Sequence, residues 1–123
     1  INDLEKDERL ISVLERLEQD GYVLCCATNS VRHSAIVQLT RRGFIDHLEF
    51  VFTNQDVVNP KPNTEIYLRC MIKAGVSPKE AIILEDSELG RRGARETGSP
   101  VLEIEDSTDV TYRKIRKFID NVK

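Results

Sequence analysis

Four residues of this 123-residue chain carry types that could do chemistry together: Thr28, Lys61, Glu85 and Asp86. Glu85 and Asp86 close the stretch Ala81-Ile82-Ile83-Leu84-Glu85-Asp86-Ser87. Adjacent carboxylates are costly unless a cation or a shared proton relieves them. A hard divalent ion such as Mg²⁺ does so through oxygen ligands and keeps room for a substrate phosphate. The pair also suits a helix N-terminus, where acids sit well against the dipole, and the stretch alone leaves both readings open. Lys61 lies in Asn59-Pro60-Lys61-Pro62-Asn63, where the flanking prolines restrict the backbone behind a compact ammonium. Thr28 begins Thr28-Asn29-Ser30, a polar triplet that could donate to a phosphate or simply cap a helix. A phosphoryl group in transfer spreads negative charge over its oxygens, so catalysis is mostly positioning and charge stabilisation. A hydroxyl, a fixed ammonium and a carboxylate pair meet that need. Lys61 also has a plain reading as a solvated loop residue.

The elements that must position these groups follow from the pattern of apolar residues. Asp3 to Gln19 places Leu4, Leu10, Ile11, Leu14 and Leu17 among charged neighbours, which predicts a helix stopped by Gly21. Tyr22 to Ala27 is an apolar run of strand length, and Thr28-Asn29-Ser30 is placed to cap a helix to about Arg42. Phe50 to Phe52 is a second short strand, followed by a loop from Asp56 to Pro62. Asn63 or Thr64 caps a helix through Lys73, with Glu65 favourably placed in its first turn. Ala81 to Leu84 is a third strand, apolar on both faces as inside a parallel sheet. Glu88 to Glu96 is a helix, Pro100 to Ile104 a fourth strand and Thr111 to Val122 a final amphipathic helix. Helix, then strand–helix repeated, is the signature of an α/β fold with a mainly parallel sheet. Thr28 and the acid pair then sit at carboxyl ends of strands, the edge where such sheets bind ligands.

Composition narrows the class. A net charge of −3 gives no support for nucleic-acid or anionic-membrane partners, and no apolar run approaches a membrane span. Cys25 and Cys26 are adjacent in a strand, so their side chains point to opposite faces. With Cys70 they read as small buried hydrophobes in a reducing, cytoplasmic setting. His33 and His47 lack ligand spacing, and Arg32, early in its helix, could approach a substrate.

Three segments, in order, resemble motifs of the haloacid-dehalogenase (HAD) superfamily, nearest the β-phosphoglucomutase and phosphoglycolate-phosphatase-like subfamily. Leu24-Cys25-Cys26-Ala27-Thr28-Asn29-Ser30 resembles the second motif, an apolar strand ending in Thr or Ser. Asn59-Pro60-Lys61-Pro62-Asn63-Thr64-Glu65-Ile66-Tyr67 resembles the third, a lysine followed by proline and a helix. Ile83-Leu84-Glu85-Asp86-Ser87-Glu88-Leu89-Gly90 resembles the fourth, the metal-binding acids. The resemblance spans nearly all of the chain. It implies a Rossmann-like three-layer sandwich, here a single core without a cap domain over residues 1–123.

The resemblance also implies roles. Thr28 orients the phosphoryl group, with Asn29 and Ser30 as secondary phosphate or substrate contacts. Lys61 offsets charge, Asp86 is the main protein ligand to Mg²⁺, and Glu85 helps directly or through water. The family's first motif, Asp-x-Asp at the end of a central strand, does not occur in this sequence. Its first Asp is the nucleophile. By analogy the sheet lacks its middle strand, and two strand edges in a core are expensive to leave unpaired. The expectation is that an N-terminal segment of a longer protein completes it; a second chain or a strand-swapped homodimer, or direct pairing of the strands ending at Thr28 and Glu85, are the alternatives. A Mg²⁺-dependent phosphatase or phosphomutase acting on a small phosphorylated metabolite, with its nucleophile outside this chain, is therefore the leading expectation. The alternative is an inactive HAD-like binding or assembly module. A receiver-type signalling domain fits the motif order less well.

Overall fold

Strand–helix alternation is realised with parallel pairing at both ladders. The structure, a computed structural model, describes residues 5–122. The chain divides into two compact units, Ile1–Asp56 and Val57–Lys123.

The first unit runs α1 (Glu8–Gln19), β1 (Cys25–Ala27), α2 (Arg32–Arg42) and β2 (Phe50–Phe52). Asp7 caps α1, its Oδ1 accepting from the Leu10 amide at 3.0 Å, and its Oδ2 takes the Arg42 guanidinium at 3.0 Å. Leu10, Val13 and Leu17 are the buried face of α1, one stripe at helical spacing. Val13 belongs to that stripe although the sequence reading passed over it, and Leu4 lies outside the described residues. Gly43 ends α2 in the left-handed region at φ 85°. It must also be small, since a Cβ there would lie 2.6 Å from Ile11 Cδ1. β1 and β2 pair in parallel, Cys25 opposite Phe50 and Ala27 opposite Phe52.

The second unit runs α3 (Glu65–Ala74), β3 (Ile83–Glu85), α4 (Glu88–Glu96), β4 (Val101–Glu103) and α5 (Tyr112–Val122). β3 and β4 are parallel, Ile83 opposite Val101 and Glu85 opposite Glu103. Ile66, Tyr67, Cys70 and Met71 of α3, Ala94 of α4, Leu102 of β4, and Ile115 and Ile119 of α5 form the core. Each ladder is a two-stranded sheet. That arrangement agrees with the α/β fold with parallel pairing read from the sequence.

β2 has the bounds read from the sequence, whereas β1, β3 and β4 are shorter than their apolar runs. Tyr22 to Leu24 precede β1, and Ala81 and Ile82 precede β3. A residue counts as strand only where a neighbour takes its backbone groups, and hydrophobicity alone does not report that. The third strand also extends one residue further than expected, so that Glu85 lies inside it.

Candidate functional site

The acid pair splits at the end of β3. Glu85 is the last ladder residue and is 8% exposed, whereas Asp86, one residue on, is exposed. Glu85 Oε2 accepts from Lys61 Nζ at 2.8 Å and from the Tyr67 hydroxyl at 2.7 Å. Its Oε1 faces the amides of Asp86 and Ser87 at 3.1 and 3.3 Å and the Ser87 hydroxyl at 3.3 Å. Burial alone raises the pKa of a carboxyl group. Here the hydrogen bonds from Lys61 and Tyr67, with the Lys61 charge, outweigh that and hold Glu85 well below the ordinary carboxylate range. Burial, and then the hydrogen bond to Glu85, push the Tyr67 phenol far up, so it stays a donor.

Three elements bring these groups together. Lys61 comes from the loop before α3, and its side chain is only 10% exposed. The Lys61–Pro62 peptide bond is cis. Asn63 closes a turn by donating its amide to the Pro60 carbonyl at 3.0 Å. Glu65 pins the front of the same loop, accepting from the amides of Val58 and Asn59 at 3.0 and 2.9 Å. Asn63 Oδ1 accepts from the Glu65 amide at 2.9 Å, while Thr64, the formal cap, makes no side-chain cap bond. The favourable place expected for Glu65 is therefore used twice, in the first helical turn and as a loop clamp.

Helix α4 follows at once. Ser87 caps it, accepting from the Gly90 amide at 3.0 Å. Gly90 and Gly93 let α4 lie against the site. A Cβ on Gly90 would stand 2.3 Å from Glu85 Cδ, and one on Gly93 would stand 2.6 Å from the Pro62 carbonyl oxygen. Arg91 ties the ends of both strands, donating to the Glu85 carbonyl at 3.3 Å and to the Ile104 carbonyl at 2.7 Å.

Thr28, Asn29 and Ser30 belong to the first unit. The Thr28 amide donates to the Phe52 carbonyl at 3.0 Å, extending the β1–β2 ladder by a residue. Its Oγ1 accepts from the Ser30 amide at 3.1 Å. The triplet does not cap α2, which corrects the expectation from sequence: the cap position is Val31, extended and without a side-chain bond. Here the hydroxyl oxygen accepts within a local turn, an alternative that Ser, Thr, Asn and Asp commonly offer the backbone, and its proton is not used by that bond. The Arg32 amide, an orphan donor of the first turn, is met by Gln55 Oε1 at 2.7 Å. The Arg32 guanidinium pairs with Asp56, whose other oxygen takes the Thr53 amide and hydroxyl. Arg32, read as able to approach a substrate, is thus anchored to the loop after β2.

Lys61 meets Glu85, with Asp86 next in sequence, and Glu85 has donors on both carboxylate oxygens. Asp86 is the exposed acid of the two. Among the described residues no three His, Cys, Asp or Glu side chains cluster closely enough to hold one. Tyr67 and Gly90 are the residues that sequence reasoning missed. Both stand in the quoted motif segments, but only contacts at separations of 18 and 23 residues reveal what they do.

Comparison with known proteins shows the family and the fold. Residues 2–104 match the family described as haloacid dehalogenase-like hydrolase. The chain belongs to that family. It is 36% identical over 91 residues to the protein of the fgs 3′ region of Lacticaseibacillus casei, covering 74% of this chain and 41% of that one. It is 26% identical over 95 residues to the phosphorylated carbohydrates phosphatase of Thermotoga maritima, covering 77% and 44%. Among solved structures, a HAD phosphatase from Thermococcus onnurineus superposes with a TM-score of 0.80 at 27% identity, covering 92% of this chain and 57% of that one. The chain spans less than half the length of these two sequence relatives.

Proposed function

We propose that this chain is the phosphate- and metal-facing part of a Mg²⁺-dependent phosphatase or phosphomutase acting on a small phosphorylated metabolite. The buried Lys61–Glu85 pair beside the exposed Asp86 carries this reading. An ammonium held in place by a buried carboxylate offers a fixed positive charge to a phosphoryl group. Asp86 offers the neighbouring negative charge that a divalent ion needs. Mg²⁺, when bound, would supply charge neutralisation at the phosphoryl oxygens. Thr28 would orient the phosphoryl group through its hydroxyl, with Asn29 and Ser30 beside it. Glu85 acts from behind, as the counter-ion of Lys61.

The nucleophile must come from an Asp-x-Asp strand outside these residues, in a preceding segment, a second chain or a swapped copy. That carboxylate would take the phosphoryl group as the alcohol leaves, and water would then release phosphate. Names of relatives, phosphatases among them, support the reaction class. We place the protein in the cytoplasm, a reading that the low cysteine content, three in 123 residues, supports. No helix of the described residues is long and apolar enough to cross a membrane.

The missing Asp-x-Asp favours a second reading, a module that binds phosphate or Mg²⁺ without turnover. Hydrolysis of an aryl phosphate with Mg²⁺ separates the two. A longer parent protein carrying the strand should turn over and lose at least a hundredfold in kcat/KM with Lys61→Ala or Asp86→Ala, about 2.7 kcal/mol or more. Turnover that survives both changes would remove the assigned roles.

A further inference from the structure

We propose that Tyr67 is a positioning residue that holds the Lys61 ammonium ready for phosphate. This rests on the reading of Lys61 as a phosphate-facing group. Tyr67 is 4% exposed and touches the lysine and its counter-ion by different parts of one ring. Its hydroxyl donates to Glu85 Oε2 at 2.7 Å, the same oxygen that takes Lys61 Nζ. Its ring faces that ammonium, 5.2 Å from Nζ to the ring centroid. The hydroxyl also lies 3.0 Å from the Gly90 carbonyl, on the helix that follows Asp86.

A phenol has one proton to give. The carboxylate, charged and nearer, draws it, and the Gly90 carbonyl shares it at longer range. Both contacts fix the ring plane, and a fixed ring fixes the cation that sits against it. Lysine is otherwise a flexible stem that loses about 2 kcal/mol of rotamer entropy when held still. Tyr67 and Glu85 meet that cost during folding, before any substrate arrives. Placement by one buried side chain from α3 also couples the lysine loop to α4. Gly90 leaves the space for it, because a Cβ there would overlap the Glu85 carboxylate.

The test is residue-resolved acylation of lysines by an N-hydroxysuccinimide ester, read by mass spectrometry on the full 123-residue chain. Exposed Lys79 and Lys117 serve as internal references. Lys61 should label slowly in the wild type. Tyr67→Phe keeps the ring and loses the hydroxyl, and should speed Lys61 labelling about fivefold. Tyr67→Leu loses the ring as well and should speed it roughly twentyfold. Glu85→Gln is the positive control for a released ammonium. Inorganic phosphate should protect Lys61, with the protection midpoint rising about fivefold in Tyr67→Phe.

A Tyr67→Phe chain that labels like wild type while Glu85→Gln labels faster would overturn the proposal. So would faster labelling of Lys79 and Lys117 in step with Lys61, which marks general loosening. Failure of phosphate to protect Lys61 even in the wild type would sink the phosphate reading instead, and the labelling rates would still decide the role of Tyr67.

Discussion

Glu85 sits at the last position of β3 with both carboxylate oxygens engaged, and Asp86, the next residue, faces solvent. Their chemistry separates accordingly. Removing Lys61 would leave a buried anion with its cation gone, a loss of about 3 kcal/mol or more. Lys61→Met should therefore lower the urea midpoint of unfolding strongly at pH 7, while Asp86→Asn stays within about 0.5 kcal/mol of wild type. Equal effects would mean that the two acids share one environment. A second carboxylate, Glu65, makes a prediction in pH. The hydrogen bond from Arg69, then those from the Val58 and Asn59 amides, lower its pKa from 4.5 to about 2. A depressed carboxylate pKa stabilises the fold above the unfolded value and loses that effect as pH falls through the folded one. The thermal midpoint should thus fall between pH 4.5 and about 2. Glu65→Gln, which cannot titrate, should flatten that part of the curve, and an unchanged slope would assign the loss to other groups. At residue level the first-turn place of Glu65 was legible, but the partners of these groups were not. Glu85 and Asp86 read as one acid pair, because the donors that divide them arrive from 24 and 18 positions away.

At the scale of elements, the helices and their stops were largely legible, since Gly21, Gly43 and Gly75 end helices where expected. Apolar runs also located every strand. Helix starts were less readable. Thr28-Asn29-Ser30 has the composition of a cap, yet α2 begins later, because β1 carries its ladder through the Thr28 amide and the Thr28 hydroxyl closes its own turn. Helix α4 offers a test in which propensity and packing predict opposite signs. An alanine inside a helix is favoured over glycine by about 1 kcal/mol. At Gly93 the added carbon would meet the Pro62 carbonyl at 2.6 Å, and overpacking of this kind costs about 1–3 kcal/mol. Because that neighbour is backbone, Gly93→Ala should come out destabilised in urea unfolding. A more stable variant would show that α4 has room against the lysine loop. Gly90→Ala should destabilise too, with the added consequence that Glu85 is displaced and Lys61 loses its partner.

For the molecule as a whole, the two ladders are each two strands wide, and strand pairs of that width are marginal on their own. The Asp-x-Asp strand expected from the family would add backbone pairing and two further carboxylates. One addition should therefore change stability and metal response together. The order of three motifs made the family legible, and the lack of Asp-x-Asp in these residues raised the expectation of a further strand. Neither could say how the existing acids are shared out, because that depends on contacts among distant side chains. The matching experiment follows the thermal midpoint with and without Mg²⁺, in this chain and in a longer parent protein that carries the strand. The longer protein should melt higher, and Mg²⁺ should raise it further, by about 2.7 kcal/mol when the ion is at a hundred times its dissociation constant. Asp86→Asn should abolish the Mg²⁺ increment and leave the gain from the strand intact. If Mg²⁺ stabilises the short chain as much as the long one, the ion binds somewhere other than a site completed by that strand. If Asp86→Asn keeps the increment, Asp86 is not its ligand.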